Sequence, residues 1–324
     1  MTFAELLAEV YDDLGYQTAP ATAVVTRIKR RINKAQEQLL SDPALASLLN
    51  GSMTFASVAS QARYGLSNVA QIRILRETTN DRRLFPKSLD WYRTTNPDPA
   101  SNTGTPSWYV PLGPVAVAQV PAATGTGLWV VSSSASDTAL TTTVDAIRVG
   151  GYPHNPTAVT LTGTTRAAIG SLTDYIDVTQ FQLSAAAVGD VSLYDAAAAG
   201  NLLAVIPRGQ TTSRYYGVIL TQTPSTAITY SLDVEFEIQP LVNDTDESRL
   251  PQKFHRLLGI IARKREYELK DDERYAEAKS QEEAETLKLK AYVNNPPGTV
   301  LVPGGAIRGV SDVGPQYPAG TIWD

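Results

Sequence analysis

Apolar residues recur with a helical period at both ends of the chain and with a period of two in between. Thr2-Phe3-Ala4-Glu5 has capping-box spacing, in which hydroxyl and carboxylate each satisfy a terminal N–H of the other residue, and Phe3, Leu6, Leu7, Val10 and Leu14 then share one helical face. A second helix carries Ala21, Val25, Ile28, Ile32, Ala35 and Leu39 and stops near Asp42-Pro43, because a residue before proline is pushed out of the α region. Far along the chain, Leu250-Pro251 opens a third helix. Pro251 suits the first helical position, and Asp244, Asp246 and Glu247 bring negative charge to the positive helix end. Phe254, Leu257, Leu258 and Ile261 line one face, with Arg256, Arg263, Lys264 and Glu266 around the rest. A fourth helix follows Asp271-Asp272-Glu273, with a narrow stripe of Ala276, Ser280, Ala284, Leu287 and Ala291. These faces need partners, so the two N-terminal and two C-terminal helices are predicted to form one core. In that core Phe254, Leu258 and Ile261 pack against Leu7, Val10, Ile28 and Ile32.

Strand patterns fill the middle. Upstream runs are 53–56, 70–75, 107–110 and 115–118, and downstream runs are 216–220 and 231–238; in the last, Leu232, Val234, Phe236 and Ile238 share a face. Between Pro99 and Ser213 there are only nine charged residues and no lysine, whereas Asp244 to Lys290 carries 23. Short alternating runs at 158–162, 175–178 and 191–194, each bounded by Gly, Pro or Asp, then predict a small β-sandwich. The fold class expected is therefore α+β: a helical core with a small sheet, interrupted by an all-β insertion at a loop. Residues 1–123 and 214–295 make the split core, 124–213 the insertion and 296–324 an extended arm.

Composition narrows the function classes. A length of 324 residues and 43% hydrophobic content are consistent with about two domains with cores of their own. With no cysteine, disulfides and thiolate metal sites are excluded. The start of the chain lacks a basic segment followed by an apolar one, and no apolar run approaches ~18 residues, which disfavours a signal peptide and a membrane span. A net charge of −5 is no footprint of general nucleic-acid binding. Arg27, Lys29, Arg30, Arg31 and Lys34 form the densest basic run and are read as a solvated face in preference to a phosphate contact.

Catalytic or metal chemistry has little support. The two histidines, His154 in a Gly-Pro loop and His255 in the third helix, have no ligand neighbour at metal spacing. Asn243-Asp244-Thr245-Asp246-Glu247 lacks the glycine and terminal glutamate of a calcium loop, and no nucleophile elbow or phosphate loop occurs. No metal, no cofactor and no enzyme activity are expected. Past Val293 the chain is rich in Gly and Pro yet carries Val300, Leu301, Ile307, Ile322 and Trp323, the composition of an arm that orders on a partner.

The order of these elements carries a resemblance. Two N-terminal helices, Ala62-Arg63-Tyr64-Gly65-Leu66 before the Ile72/Ile74 strand, Gly104-Thr105-Pro106-Ser107-Trp108-Tyr109-Val110, an alternating strand, and Leu250-Pro251 with Phe254-His255-Arg256-Leu257-Leu258 together resemble head-to-tail adaptor proteins of tailed bacteriophages. The chain departs from the short form of that family by about 90 residues, which resemble an immunoglobulin-like insertion. The resemblance implies a structural virion protein, assembled in the host cytoplasm and located at the head–tail junction. It implies a homo-oligomeric, twelvefold ring that binds the portal protein above and a tail or neck protein below and lets double-stranded DNA pass without sequence-specific binding. Portal contact would fall on Val300, Leu301, Ile307, Ile322 and Trp323 of the arm and on Leu287 and Ala291 of the last helix. Two other classes stay open. A host-surface or carbohydrate-binding β protein would use Trp129, Tyr152, Tyr175 or Tyr194 as stacking platforms, and a hydrolase would need paired aspartates.

Overall fold

A computed structural model describes residues 1–16, 20–96, 102–121, 125–294, 300–302 and 306–308, with residues 155–157 and the last two stretches described in backbone only. The helices are α1 (Phe3–Asp13), α2 (Thr22–Leu40), α3 (Leu89–Thr95), α4 (His255–Lys270) and α5 (Tyr275–Asn294). The strands are β1 (Asn50–Ala56), β2 (Arg63–Leu66), β3 (Val69–Glu77), β4 (Arg82–Pro86), β5 (Trp108–Val115), β6 (Trp129–Ser132), β7 (Thr141–Arg148) and β8 (Pro153–Thr160). They continue with β9 (Ala167–Ala168), β10 (Tyr175–Leu183), β11 (Val191–Tyr194), β12 (Leu202–Ile206), β13 (Tyr215–Leu220), β14 (Thr229–Phe236), β15 (Val300–Val302) and β16 (Ala306–Arg308). The protein is thus mixed α/β. It divides into two compact units: Met1–Leu49 with the chain from Asn243 onward, and Asn50–Val242.

The first unit is helical. The capping box forms: Thr2 Oγ1 accepts the Glu5 N–H at 3.3 Å and Glu5 Oε2 accepts the Thr2 N–H at 2.8 Å. The next two free donors of α1, the N–H groups of Phe3 and Ala4, bond the carbonyls of Asp246 and Asp244 at 2.7 and 3.0 Å. The acidic turn 243–247 therefore closes the start of α1, a different helix end from the one its place in the sequence suggests. Its shape comes from Asn243, whose N–H and Nδ2 both donate to the Asp246 carboxylate. Pro251 does not open α4 directly either. A 3-10 turn over Gln252–Phe254 intervenes, started by the Phe254 N–H donating to the Pro251 carbonyl at 2.7 Å.

Helix α4 is the centre of this unit and packs on α1, α2 and α5. Phe254, Leu257, Leu258 and Ile261 are buried, as are Leu7, Val10, Ile28 and Ile32. A side chain that large contributes about 1.5–3 kcal/mol when fully withdrawn from water. Gly259 lets α1 and α4 come close, since a Cβ there would lie 3.3 Å from Val10 Cγ2. The polar side of α4 is only partly solvated: Arg256 is exposed, but Glu266 is fully buried.

The second unit is β-rich. Its largest sheet has seven strands in the order β1-β14-β3-β4-β5-β13-β2. Tyr230, Leu232 and Val234 of β14 point into one core with Leu75, Leu84, Tyr109 and Val218, while Phe236 is half-buried and Ile238 lies beyond the strand. The sheet curls, and the ring of Phe55 at one edge stands 5.4 Å from Tyr64 on the other edge strand. Two smaller sheets, β10-β7-β8 and β12-β11-β6-β9, supply a second cluster. Val144, Val178 and Phe181 come from the first of them and Val130, Leu193 and Ile206 from the second. Val117 and Tyr215 enter the same cluster from the flanking chain, and the Val205 N–H donates to Tyr215 Oη at 2.7 Å. Packing thus crosses both positions 123/124 and 213/214, and the compact units divide at Leu49/Asn50 and Val242/Asn243. His154, expected in a loop, lies in β8, an edge strand where Pro153 withholds no ladder donor that a neighbour requires.

Candidate interaction surfaces

Helix α5 docks on α4 and the 3-10 helix Pro43–Leu49 through the buried Ala278 and Leu289, with charged pairs around them. Lys264 pairs with Glu282, Arg263 bridges Asp13 and Gln281, and Lys290 reaches Asp42 at 2.7 Å, holding that carboxyl below its ordinary range. With the inner face committed to these partners, the stripe of Ala276, Ser280, Ala284, Leu287 and Ala291 faces outward, and Leu287 is 68% exposed. Beside it, α4 and α5 enclose a groove of about 570 Å³ with Phe254, Leu257 and Ile260 on its floor and Arg256 and Lys288 on its rim.

Val300–Val302 and Ala306–Arg308 pair as antiparallel strands, Leu301 opposite Ile307, so this part of the arm makes its own backbone bonds. The apolar runs Val300-Leu301-Val302 and Ala306-Ile307 supply the strand signal. Ile322 and Trp323 lie outside the described residues.

Of the four rings named as sugar platforms, Tyr175 is fully buried, and Tyr194 is covered by the Arg166 guanidinium at 3.7 Å. Trp129 is half-buried, which leaves Tyr152, 68% exposed, as an open ring. His255 is buried with its Nε2 2.8 Å from the Leu250 carbonyl and its Nδ1 2.9 Å from that of Met1, a structural placement. Among the described residues no cluster of three potential metal ligands occurs, and no helix is long and apolar enough to cross a membrane. The buried Asp137 organises loops of the β unit instead. It accepts bonds from Ser132 Oγ at 2.6 Å and from the N–H groups of Val188 and Gly189 at 3.0 Å. Burial pushes its carboxyl up, but these donors together outweigh that and hold it below the usual range.

One surface was passed over in the sequence. Phe85 of β4 lies opposite Trp108 of β5 in a parallel pairing, and Trp91 of α3 meets Trp108 edge-on with ring centroids 5.6 Å apart. Lys87 Nζ sits 5.0 Å from the Trp91 ring and 5.7 Å from that of Trp108, and the Arg83 guanidinium lies 5.5 Å from Phe85. The frame is fixed: the Lys87 N–H donates to the Tyr109 carbonyl at 2.8 Å, and Ser88 Oγ caps α3 by accepting the Trp91 N–H at 3.2 Å. The usable signal was local density, since Arg82, Arg83, Phe85, Lys87 and Trp91 fall within ten residues. Comparison with known proteins assigns none of these surfaces: no family model matches the chain, and no curated protein matches it.

Proposed function

We propose that the chain is a head-to-tail adaptor of a tailed bacteriophage, a structural virion protein without catalytic activity. Copies form a ring, twelvefold in this reading, that docks under the portal and continues the DNA channel towards a tail or neck protein at the head–tail junction. The observation that carries this is the outward face of α5: Leu287 and Ala291 lie open on a helix that leads directly into the arm. The N-terminal helices and α4 and α5 share one unit, with a β-rich segment between them in sequence, in agreement with the order of elements in that family. The sheets β10-β7-β8 and β12-β11-β6-β9 are read as the immunoglobulin-like insertion, because both feed one apolar cluster.

Mixing the purified chain with portal rings and imaging in negative stain tests this. A coaxial second ring is the expected result, and separate particles at every ratio would reject the assignment. The reading of a carbohydrate-binding virion protein retains Tyr152 alone as an open ring, and binding of glycans by the β unit with no affinity for portal would favour it.

A further inference from the structure

We propose that the outer face of β3, β4, β5 and α3 is a docking site for a protein segment that presents carboxylates beside an apolar side chain. The inference goes beyond the adaptor reading and does not depend on it. Alternation along β4 sends Leu84 into the core and Arg83 and Phe85 outward, where Phe85 is 54% and Trp108 40% exposed. Arg76 of β3 is the direct cross-strand partner of Arg83, and both are exposed. Like charges placed opposite one another destabilise a sheet. Arg76 has only a long contact to the exposed Asp81, at 3.6 Å, and among the described residues neither Arg83 nor Lys87 has a carboxylate partner. Arg83 and Lys87 are therefore held against three aromatic rings, with Arg76 beside Arg83, and the three cations are short of counter-charge on a frame of strands. An anionic occupant relieves that repulsion, while Phe85 and Trp108 supply the apolar contact that dominates protein docking.

Single-stranded nucleic acid also combines negative charge with affinity for rings, but it needs open ring faces on which bases stack. Here this chain's own cations already lie over those rings, Lys87 over Trp91 and Trp108 and Arg83 over Phe85, so a stacking base has to compete with them for ring faces. Asp81 and Asp90 flank the patch, and the chain is acidic with a net charge of −5, neither of which suits a polyanion track. A short acidic and apolar peptide segment fits better.

The test uses the full chain as bait for a displayed library of random twelve-residue peptides, with counter-selection on the double variant Arg83→Glu/Trp108→Ala. Peptides with Asp or Glu next to Leu, Ile or Phe should be enriched and should lose at least about tenfold in affinity on the variant. The milder pair Arg83→Gln/Lys87→Gln, which keeps the rings, should weaken them several-fold with unchanged thermal unfolding. No patch-dependent enrichment, enrichment of neutral or basic peptides, or displacement of the selected peptides by oligothymidylate at lower concentration would each overturn the proposal.

Discussion

Arg27 on α2 grips Glu266 on α4 with two parallel hydrogen bonds, Nε to Oε1 and a second guanidinium nitrogen to Oε2, both 3.0 Å long. Arg31, one turn on, brings a nitrogen within 2.9 Å of the same Oε1. The carboxylate is fully buried, so Arg27 and Arg31, from the helix with the densest basic run, commit their charge to Glu266. Glu266→Ala should therefore lower stability by about 3–5 kcal/mol, the usual result of stranding buried charge. Urea unfolding followed by circular dichroism measures it. A loss under ~0.5 kcal/mol would mean that Glu266 is in water.

Leu258 and Leu287 separate packing from recognition, being fully buried on α4 and 68% exposed on α5 respectively. Leu258→Ala should cost about 2–5 kcal/mol through lost transfer energy and the cavity left behind. Leu287→Glu should shift stability by less than ~0.5 kcal/mol, yet weaken capture of portal rings at constant salt. Equal stability losses in the two variants would place Leu287 in a core.

What was legible in the chain was local. The capping box at Thr2 and Glu5 and the apolar face of Phe254, Leu258 and Ile261 are written in spacings of three and four residues, and they form as spaced. Burial of Glu266 was not legible, because it depends on arginines more than 230 residues away. The small-residue stripe of α5 turns outward because Ala278 and Leu289 fill the inner face, and partly exposed ion pairs such as that of Lys290 with Asp42 border that face. The ring cluster stayed hidden for a similar reason. Phe85 and Trp108 meet only once β4 and β5 pair in parallel, and β4 is too short and charged to stand out as a strand.

Asp137 gives the β unit an acid limit. Its folded carboxyl titrates below the unfolded value of ~3.9, so its contribution is present above that pH and disappears as pH falls through the folded value. Asp137→Asn should then destabilise the β unit at pH 7, with the difference from wild type shrinking below about pH 4. Thermal unfolding from pH 7 to pH 3 reports this, and a gap that widens on acidification would contradict the sign.

Removing residues 125–212 tests how far the smaller sheets stand apart. Val117 and Tyr215 lie outside that segment, yet both are buried in the cluster it builds. The ion pair of Arg63 with Asp177, 2.6 Å long, also joins β2 to β10. A chain rejoined through a short Gly/Ser linker should keep its helical signal, because α1, α2, α4 and α5 pack within their own unit. The seven-stranded sheet should lose stability as Val117 and Tyr215 meet water, at about 25 cal/mol per Å² of apolar surface exposed. Adding Val117→Thr and Tyr215→Thr to the shortened chain should then cost little further, whereas in the full chain the same pair should be strongly destabilising. Urea unfolding of the four proteins forms a cycle, and equal costs in the short and full chains would show that the segment packs on nothing beyond its own ends.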